Sequence, residues 1–255
     1  MSEDPHRRAD DLDGMTALEF VELMHAEDLR AVESVGTELE NIARAVDAVA
    51  RRLREGGRLH YFGAGTSGLI AAMDAAECPA TFGIAPDLVQ AHTVTDAGED
   101  GRLSGQAAVR EAALGPGDAA VGISASGRTP FVLGALEEAT ARGAITIALV
   151  SNRIADLSRS VDIAIQVETG PEVIAGSTRL KAGTVQKLVL NMLSTAVFTR
   201  LGHTRRGRMV SIAPNNDKQR ERAARILADL SGLSIEDARE RLQAAGGDLK
   251  AALSE

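Results

Sequence analysis

The chain has 255 residues, with 36 Asp and Glu against 28 Lys and Arg, giving a net charge of -8. That balance argues against a nucleic-acid surface as its main business, since backbone binding relies on clustered Lys and Arg. The nearest basic cluster, HTRRGR at 203–208, reads as a solvated loop. The one cysteine, Cys78, excludes an internal disulfide framework and a Cys-rich metal site. The five histidines lack ligand spacing, so no metal is expected. The start, MSEDPHRRADD, lacks the apolar core of a secretory signal, and no run reaches the roughly 20 apolar residues of a membrane span. The expectation is a cytoplasmic protein without membrane or nucleic-acid partners, beginning with a disordered tail over 1–14.

In chain order, a helical stretch over about 16–34 precedes an amphipathic helix in which Leu39, Ile42, Val46, Val49 and Leu53 recur at steps of three and four. That helix ends at Gly56-Gly57. Five short apolar runs follow, at 59–63, 88–94, 118–124, 144–151 and 161–167, and read as strands. Helices are expected between them over about 67–76, 104–114 and 130–142. A loop, ETGPEVIAGS, leads into a long helix over about 178–201, and 215–255 looks helical with turns at Ser231-Gly232 and Gly246-Gly247. Strands that are apolar nearly throughout and alternate with helices imply an α/β fold with a five-stranded parallel sheet covered on both faces.

In such a sheet ligands bind beyond the carboxyl ends of the strands. The loop after the first strand is GAGTSG (63–68) and that after the third is SASGRTP (124–130). Glycines such as Gly65 and Gly127 let backbone N–H groups approach an anion, the helix start adds its dipole, and Thr66, Ser67, Ser124, Ser126 and Thr129 add hydroxyls. A phosphate held from two sides is one reading. A dinucleotide, with Asp96 on the ribose, and plain turn chemistry are the others.

Ser177 or Thr178 is expected to cap the long helix, whose first turn would then hold Arg179 and Lys181 where the macrodipole favours acidic residues; a bound anion would offset that conflict. The carboxylates near these loops are Glu77, Asp87, Asp96, Glu99, Asp100 and Glu172. Glu77, in AAECPATFG, stands beside Cys78 and Pro79, an apolar setting for a carboxyl that gives a proton to a leaving group. Glu99 lies on the glycine-flanked loop DAGEDG.

GAGTSG and SASGRTP in this sheet resemble the sugar-isomerase (SIS) domain family, three-layer α/β/α and flavodoxin-like. More narrowly, GGRLHYFGAGTSG, DAAECPATFG, GISASGRTPFV, GPEVIAGSTRLKAGTVQKLVLNMLST and AAGGDLKAAL resemble the N-acetylmuramic acid 6-phosphate etherase family. The resemblance implies a homodimer without metal or nucleotide cofactor that cleaves the lactyl ether of a phosphosugar by elimination and hydration, in cell-wall amino-sugar recycling. It implies Glu77 as the acid on the departing lactate and Glu99 as the base at C2. The phosphate would lie on Gly65, Thr66, Ser67, Ser124, Ser126, Gly127 and Thr129, with Glu172, Ser177, Thr178 and Lys181 closing the site. It divides the chain into the tail 1–14, a SIS domain with helical lead-in over 15–212, and a small bundle resembling a ubiquitin-associated domain over 213–255. The chain departs from the family pattern at Leu69, where Arg is usual, and in a shorter segment before Glu99. Related readings are a SIS enzyme on another phosphosugar and a non-catalytic phosphosugar sensor.

Overall fold

The structure is a computed structural model that describes residues 4–95, 98, 101–153, 155–211 and 217–253. Two helices lead in, α1 (Ala17–Ser34) and α2 (Leu39–Arg54), joined by a 3-10 turn at Val35–Glu38. Thr16 starts α1 with a capping box, its side chain accepting from the Glu19 amide while the Glu19 carboxylate accepts from the Thr16 amide. A 3-10 helix at Ala9–Gly14 precedes it and His6 is buried, so order extends into the stretch expected to be a disordered tail.

The alternating part follows as β1 (Leu59–Ala64), α3 (Gly65–Phe82), β2 (Val89–Val94), α4 (Arg102–Glu111), β3 (Ala119–Ser124), α5 (Pro130–Ala141), β4 (Ile145–Val150) and β5 (Ile163–Gln166). All neighbouring strands run parallel in the order β2-β1-β3-β4-β5. The period of two divides the strand residues between two layers. Leu59, Tyr61, Val121, Ile123, Ile147, Leu149 and Ile165 join one apolar cluster with α2, α3 and α6 (Lys181–Arg200). Phe62, Ala120, Ala148 and Val150 join another with α4 and α5. Each large side chain so buried contributes about 1.5–3 kcal/mol.

Two elements differ from the sequence expectation. The helix placed over 67–76 runs through Pro79 to Phe82, because Cys78 and Phe82, both buried and four apart, continue its core face. Phe82 stacks on Phe198 with ring centroids 4.8 Å apart, and Gly83, at φ +62°, ends the helix. The basic stretch read as a loop is a hairpin of β6 (Thr204–Arg205) and β7 (Arg208–Met209), with Arg206 and Gly207 both at positive φ, as a type I′ turn requires. Three helices close the chain, α7 (Asp217–Ser231), α8 (Ile235–Ala244) and α9 (Leu249–Ala252), around an apolar core of their own that also takes in Val210.

Beneath α4 and α5, His60 is fully buried and its Nδ1 lies 3.0 Å from Nε2 of His92. Burial, the adjacent His92 and Arg58 push the His60 imidazole down to about 4, with Asp118 pulling weakly the other way. A folded-state value below the unfolded one near 6.5 means the unfolded chain takes up a proton that the fold refuses. Stability is therefore full above about pH 6.5 and declines as pH falls towards 4, by about 3 kcal/mol in all. Urea unfolding at pH 7.5 and 4.5 measures this, and a His60→Phe variant should show a shallower slope, with His92, also lowered by burial, supplying part of what remains.

Candidate functional site

The strand order reverses between β1 and β3, so the loops after these two strands flank the topological switch point. The connection after β1 is immediate, and what the sequence offers as a loop is the strand end and first helical turn: the strand ends at Ala64 and α3 begins at Gly65, which takes φ +52°. A Cβ at Gly63 would come within 2.9 Å of the Gly68 amide nitrogen, and one at Gly68 within 2.8 Å of the Gly63 carbonyl oxygen. The glycines of GAGTSG thus let the strand and the helix start touch backbone to backbone. No side chain caps α3 at Ala64, which leaves the first amides of an 18-residue helix open to an anion. Thr66 and Ser67 lie in that first turn, partly exposed.

The second loop is tied together by hydroxyls. Ser124 Oγ lies 2.8 Å from Thr129 Oγ1 and 3.4 Å from Ser126 Oγ, and accepts from the Gly127 amide at 3.0 Å. The Arg128 amide donates to Ser126 Oγ at 3.2 Å. Gly127, at φ +68°, passes so close to Ala155 that a Cβ would lie 2.3 Å from the alanine methyl. Pro130 then starts α5 with φ already fixed.

The start of α6 adjoins the start of α3, since a Cβ on Gly183 would sit 3.6 Å from the Thr66 methyl and 3.5 Å from Ile70 Cδ1. Ser177 and Thr178 are partly exposed in the turn before α6, and neither caps it; the helix starts at Lys181. Its first amides are taken by Glu172, whose carboxylate oxygens accept from the Lys181 and Ala182 N–H groups at 3.0 Å each. The anion that the basic first turn called for is therefore a buried side chain of this chain. Lys181 is likewise engaged: the residue is buried, 3% exposed, and its ammonium lies 2.9 Å from a Glu27 carboxylate oxygen. Burial raises the Glu27 carboxyl, but hydrogen bonding and charge from Lys181, with His6 and Arg30 behind it, outweigh that and hold it low. Glu172 and Lys181, expected as ligand-binding residues, both build the helix start. Glu172→Ala should cost about 2–3 kcal/mol by orphaning two buried donors, and Glu172→Gln less, as urea unfolding would measure.

Glu77 does not have the apolar surroundings its sequence neighbours suggest. Its side chain is 67% exposed, with Lys187 Nζ of α6 3.7 Å away. The buried carboxylate of this region is Asp74, one turn earlier, which accepts from Tyr61 Oη at 3.0 Å and Ser194 Oγ at 3.1 Å. Burial raises its carboxyl despite those two bonds. Cys78 is buried in the same cluster and its thiol is pushed up to about 12, which makes it inert. Glu99, Asp96 and Asp100 lie outside the described residues. Sequence reasoning passed over Asp74, and also Ser151 and Thr169, whose buried hydroxyls stand just beyond β4 and β5 with no partner among the described residues. Ser151 follows its apolar strand directly, which was a legible signal, but its loop carries none of the glycines that drew notice to the other two; Thr169 stands a few residues past β5, in the loop ETGPEVIAGS. Among the described residues no helix is long and apolar enough to cross a membrane.

The 2-1-3-4-5 order of the parallel sheet is flavodoxin-like, and the match of the SIS-domain family to residues 26–151 narrows this to the SIS class of domain. In fold the chain is similar to a phosphoheptose isomerase from Neisseria gonorrhoeae, with TM-score 0.56 and 22% identity, covering 72% of this chain and 100% of that one. It is similar as well to the sugar isomerase domain of the RpiR transcription factor from Sphaerobacter thermophilus, with TM-score 0.50 and 20% identity over 71% and 97%. The fold alone thus does not choose between enzyme and regulator. Sequence does. N-acetylmuramic acid 6-phosphate etherases from a Nostoc species and from Geobacillus thermodenitrificans are 46% and 43% identical over 99% of this chain, covering 85% and 88% of their own lengths. The chain belongs to the N-acetylmuramic acid 6-phosphate etherase family.

Proposed function

We propose that this protein cleaves the D-lactyl ether of N-acetylmuramic acid 6-phosphate, giving N-acetylglucosamine 6-phosphate and D-lactate. The observation that carries the reading is 46% identity to an etherase across 99% of the chain, placed on a switch point whose two loops offer hydroxyls and open helix amides. The phosphate sits on the amides and hydroxyls of Gly65, Thr66 and Ser67, faced by Ser124, Ser126, Gly127 and Thr129, with Ser177 and Thr178 at the rim. In the open-chain sugar the C1 aldehyde acidifies the C2 proton. A base, assigned to Glu99, removes it, and the electron pair expels the C3 oxygen as that oxygen takes a proton from Glu77. Water then adds at C3 of the resulting enal and the C2 proton is returned, so the sum is hydrolysis of the ether.

The chain is read as a homodimer. Leu18, Val21, Leu29 and Val32 form an exposed apolar stripe on α1, and a groove of about 760 Å³ between α2 and α6 is lined by Leu39, Ile42, Val46, Met192 and Ala196. The division at 212/213 is supported by the separate apolar core of α7–α9, read as a docked cap. The setting is cytoplasmic, in recycling of cell-wall amino sugars. Incubation with N-acetylmuramic acid 6-phosphate should release D-lactate and N-acetylglucosamine 6-phosphate in equal amounts. Binding without release, or turnover only of a differently substituted phosphosugar, would overturn the substrate assignment.

A further inference from the structure

α6 packs along α3, with Gly183 against Thr66 and Ile70, Ser194 on Asp74, and Lys187 beside Glu77. The Lys187 side chain is 29% exposed, so its stem is largely covered while its charged head stays within reach of solvent. Its Nζ lies 3.7 Å from a Glu77 carboxylate oxygen, longer than the roughly 2.7–2.9 Å of a charge-assisted hydrogen bond. Asp74, the other carboxylate within its electrostatic reach, has both oxygens occupied, by Tyr61 and by Ser194. Among the described residues the Lys187 ammonium makes no hydrogen bond. A cation with three N–H donors therefore stands beside the assigned acid with none of them committed.

The reaction brings an anion to that spot. The ether oxygen that Glu77 protonates is bonded to the same carbon as the lactyl carboxylate, so the carboxylate oxygens lie about 3–4 Å from it whatever the torsion angle. A carboxyl at a hydrogen bond of about 2.6–3.0 Å from the ether oxygen and an ammonium 3.7 Å from that carboxyl can engage the substrate together. No other cation is so placed. Lys181 is committed to Glu27 and Arg153 to Glu168, while Arg128 and Arg179 are exposed in the turns that flank the phosphate, at the far end of the substrate.

We propose that Lys187 binds the lactyl carboxylate and thereby selects an acidic ether substituent over a neutral one. This rests on the etherase reading and on Glu77 as its acid. The phosphate is common to all phosphosugars and is taken by uncharged amides and hydroxyls, so the lactyl charge is the feature that marks this substrate. A site built around a charged group rejects the analogue that lacks it, because its own charge is then left unpaired. The arriving carboxylate also draws the ammonium from Glu77 and leaves the glutamate free to turn to the ether oxygen.

The test compares N-acetylmuramic acid 6-phosphate with the analogue whose lactyl carboxylate is a carboxamide, equal in shape and uncharged. Wild type should favour the acid by about 10–100-fold in kcat/KM, the worth of one hydrogen bond to a charged group. Lys187→Gln should bring that ratio close to one, and Lys187→Arg, which keeps the charge, should retain most of it. Both substrates meet the same preparation, so a general loss of folded enzyme leaves the ratio untouched. Equal turnover of acid and amide by wild type, or an undiminished preference in Lys187→Gln, overturns the inference while the etherase reading stands. Collapse of the preference in Arg179→Gln in place of Lys187→Gln assigns the carboxylate to the turn before α6 and overturns it likewise. A wild type that releases no D-lactate, or a fully active Glu77→Gln, removes the reading on which the inference rests.

Discussion

Replacement of Glu77 by Gln is expected to lower D-lactate release by about 10²–10⁴-fold, the usual contribution of a positioned general acid, while binding of N-acetylmuramic acid 6-phosphate, followed by calorimetry, changes little. Gln keeps the size and the hydrogen-bonding reach of the side chain and loses the proton. The stability of the fold should hardly move, because the ion pair with Lys187 spans 3.7 Å with the carboxylate two-thirds exposed, and such pairs contribute about 0–1 kcal/mol. The split between turnover and binding is the informative quantity. A loss of binding equal to the loss of rate would place Glu77 among the ligand-holding groups and leave lactate to depart unassisted.

Glu27→Leu should destabilise the chain by about 3–5 kcal/mol, because it leaves the Lys181 ammonium buried with no counterion. For a chain of this size each kcal/mol lowers the melting temperature by about 2–4 °C. Lys181→Met should cost less, since Glu27 keeps Arg30 and His6. The double replacement Glu27→Leu with Lys181→Met should recover much of the loss, as two apolar side chains can fill the space without an orphaned charge. Calorimetry of the three variants measures the coupling, and simple additivity would show that the pair does not act as a unit. Since α6 begins at Lys181 beside Thr66, the same variants should weaken phosphosugar binding in proportion to their loss of order at that helix start.

Much of this was legible along the chain. The five strands fall where the apolar runs lie: the central three, β1, β3 and β4, are covered on both faces and apolar nearly throughout, while the edge strands β2 and β5 are partly exposed and admit polar residues. GAGTSG and SASGRTP announce their loops because a helix start laid directly against a strand end tolerates only glycine at Gly63 and Gly68, and a hydroxyl-tied turn needs serine and threonine at Ser124 and Thr129. The SIS resemblance followed from those same residues, and the etherase family from longer stretches such as GPEVIAGSTRLKAGTVQKLVLNMLST.

What the sequence could not decide depended on partners distant in the chain. Lys181 and Arg179 in a first helical turn read as an anion site, and only the fold shows that Glu172 supplies the anion and that Glu27, 154 positions away, holds the lysine. Glu77 sits between apolar neighbours in sequence, yet a helix turns successive residues to different sides, so Cys78 faces the core while Glu77 faces outward. Chemistry at a strand end is written locally, because backbone conformation restricts which residues can stand there. Burial and charge pairing are properties of whatever arrives from elsewhere, and for Lys181, Glu172 and Glu77 the tertiary structure alone determined them.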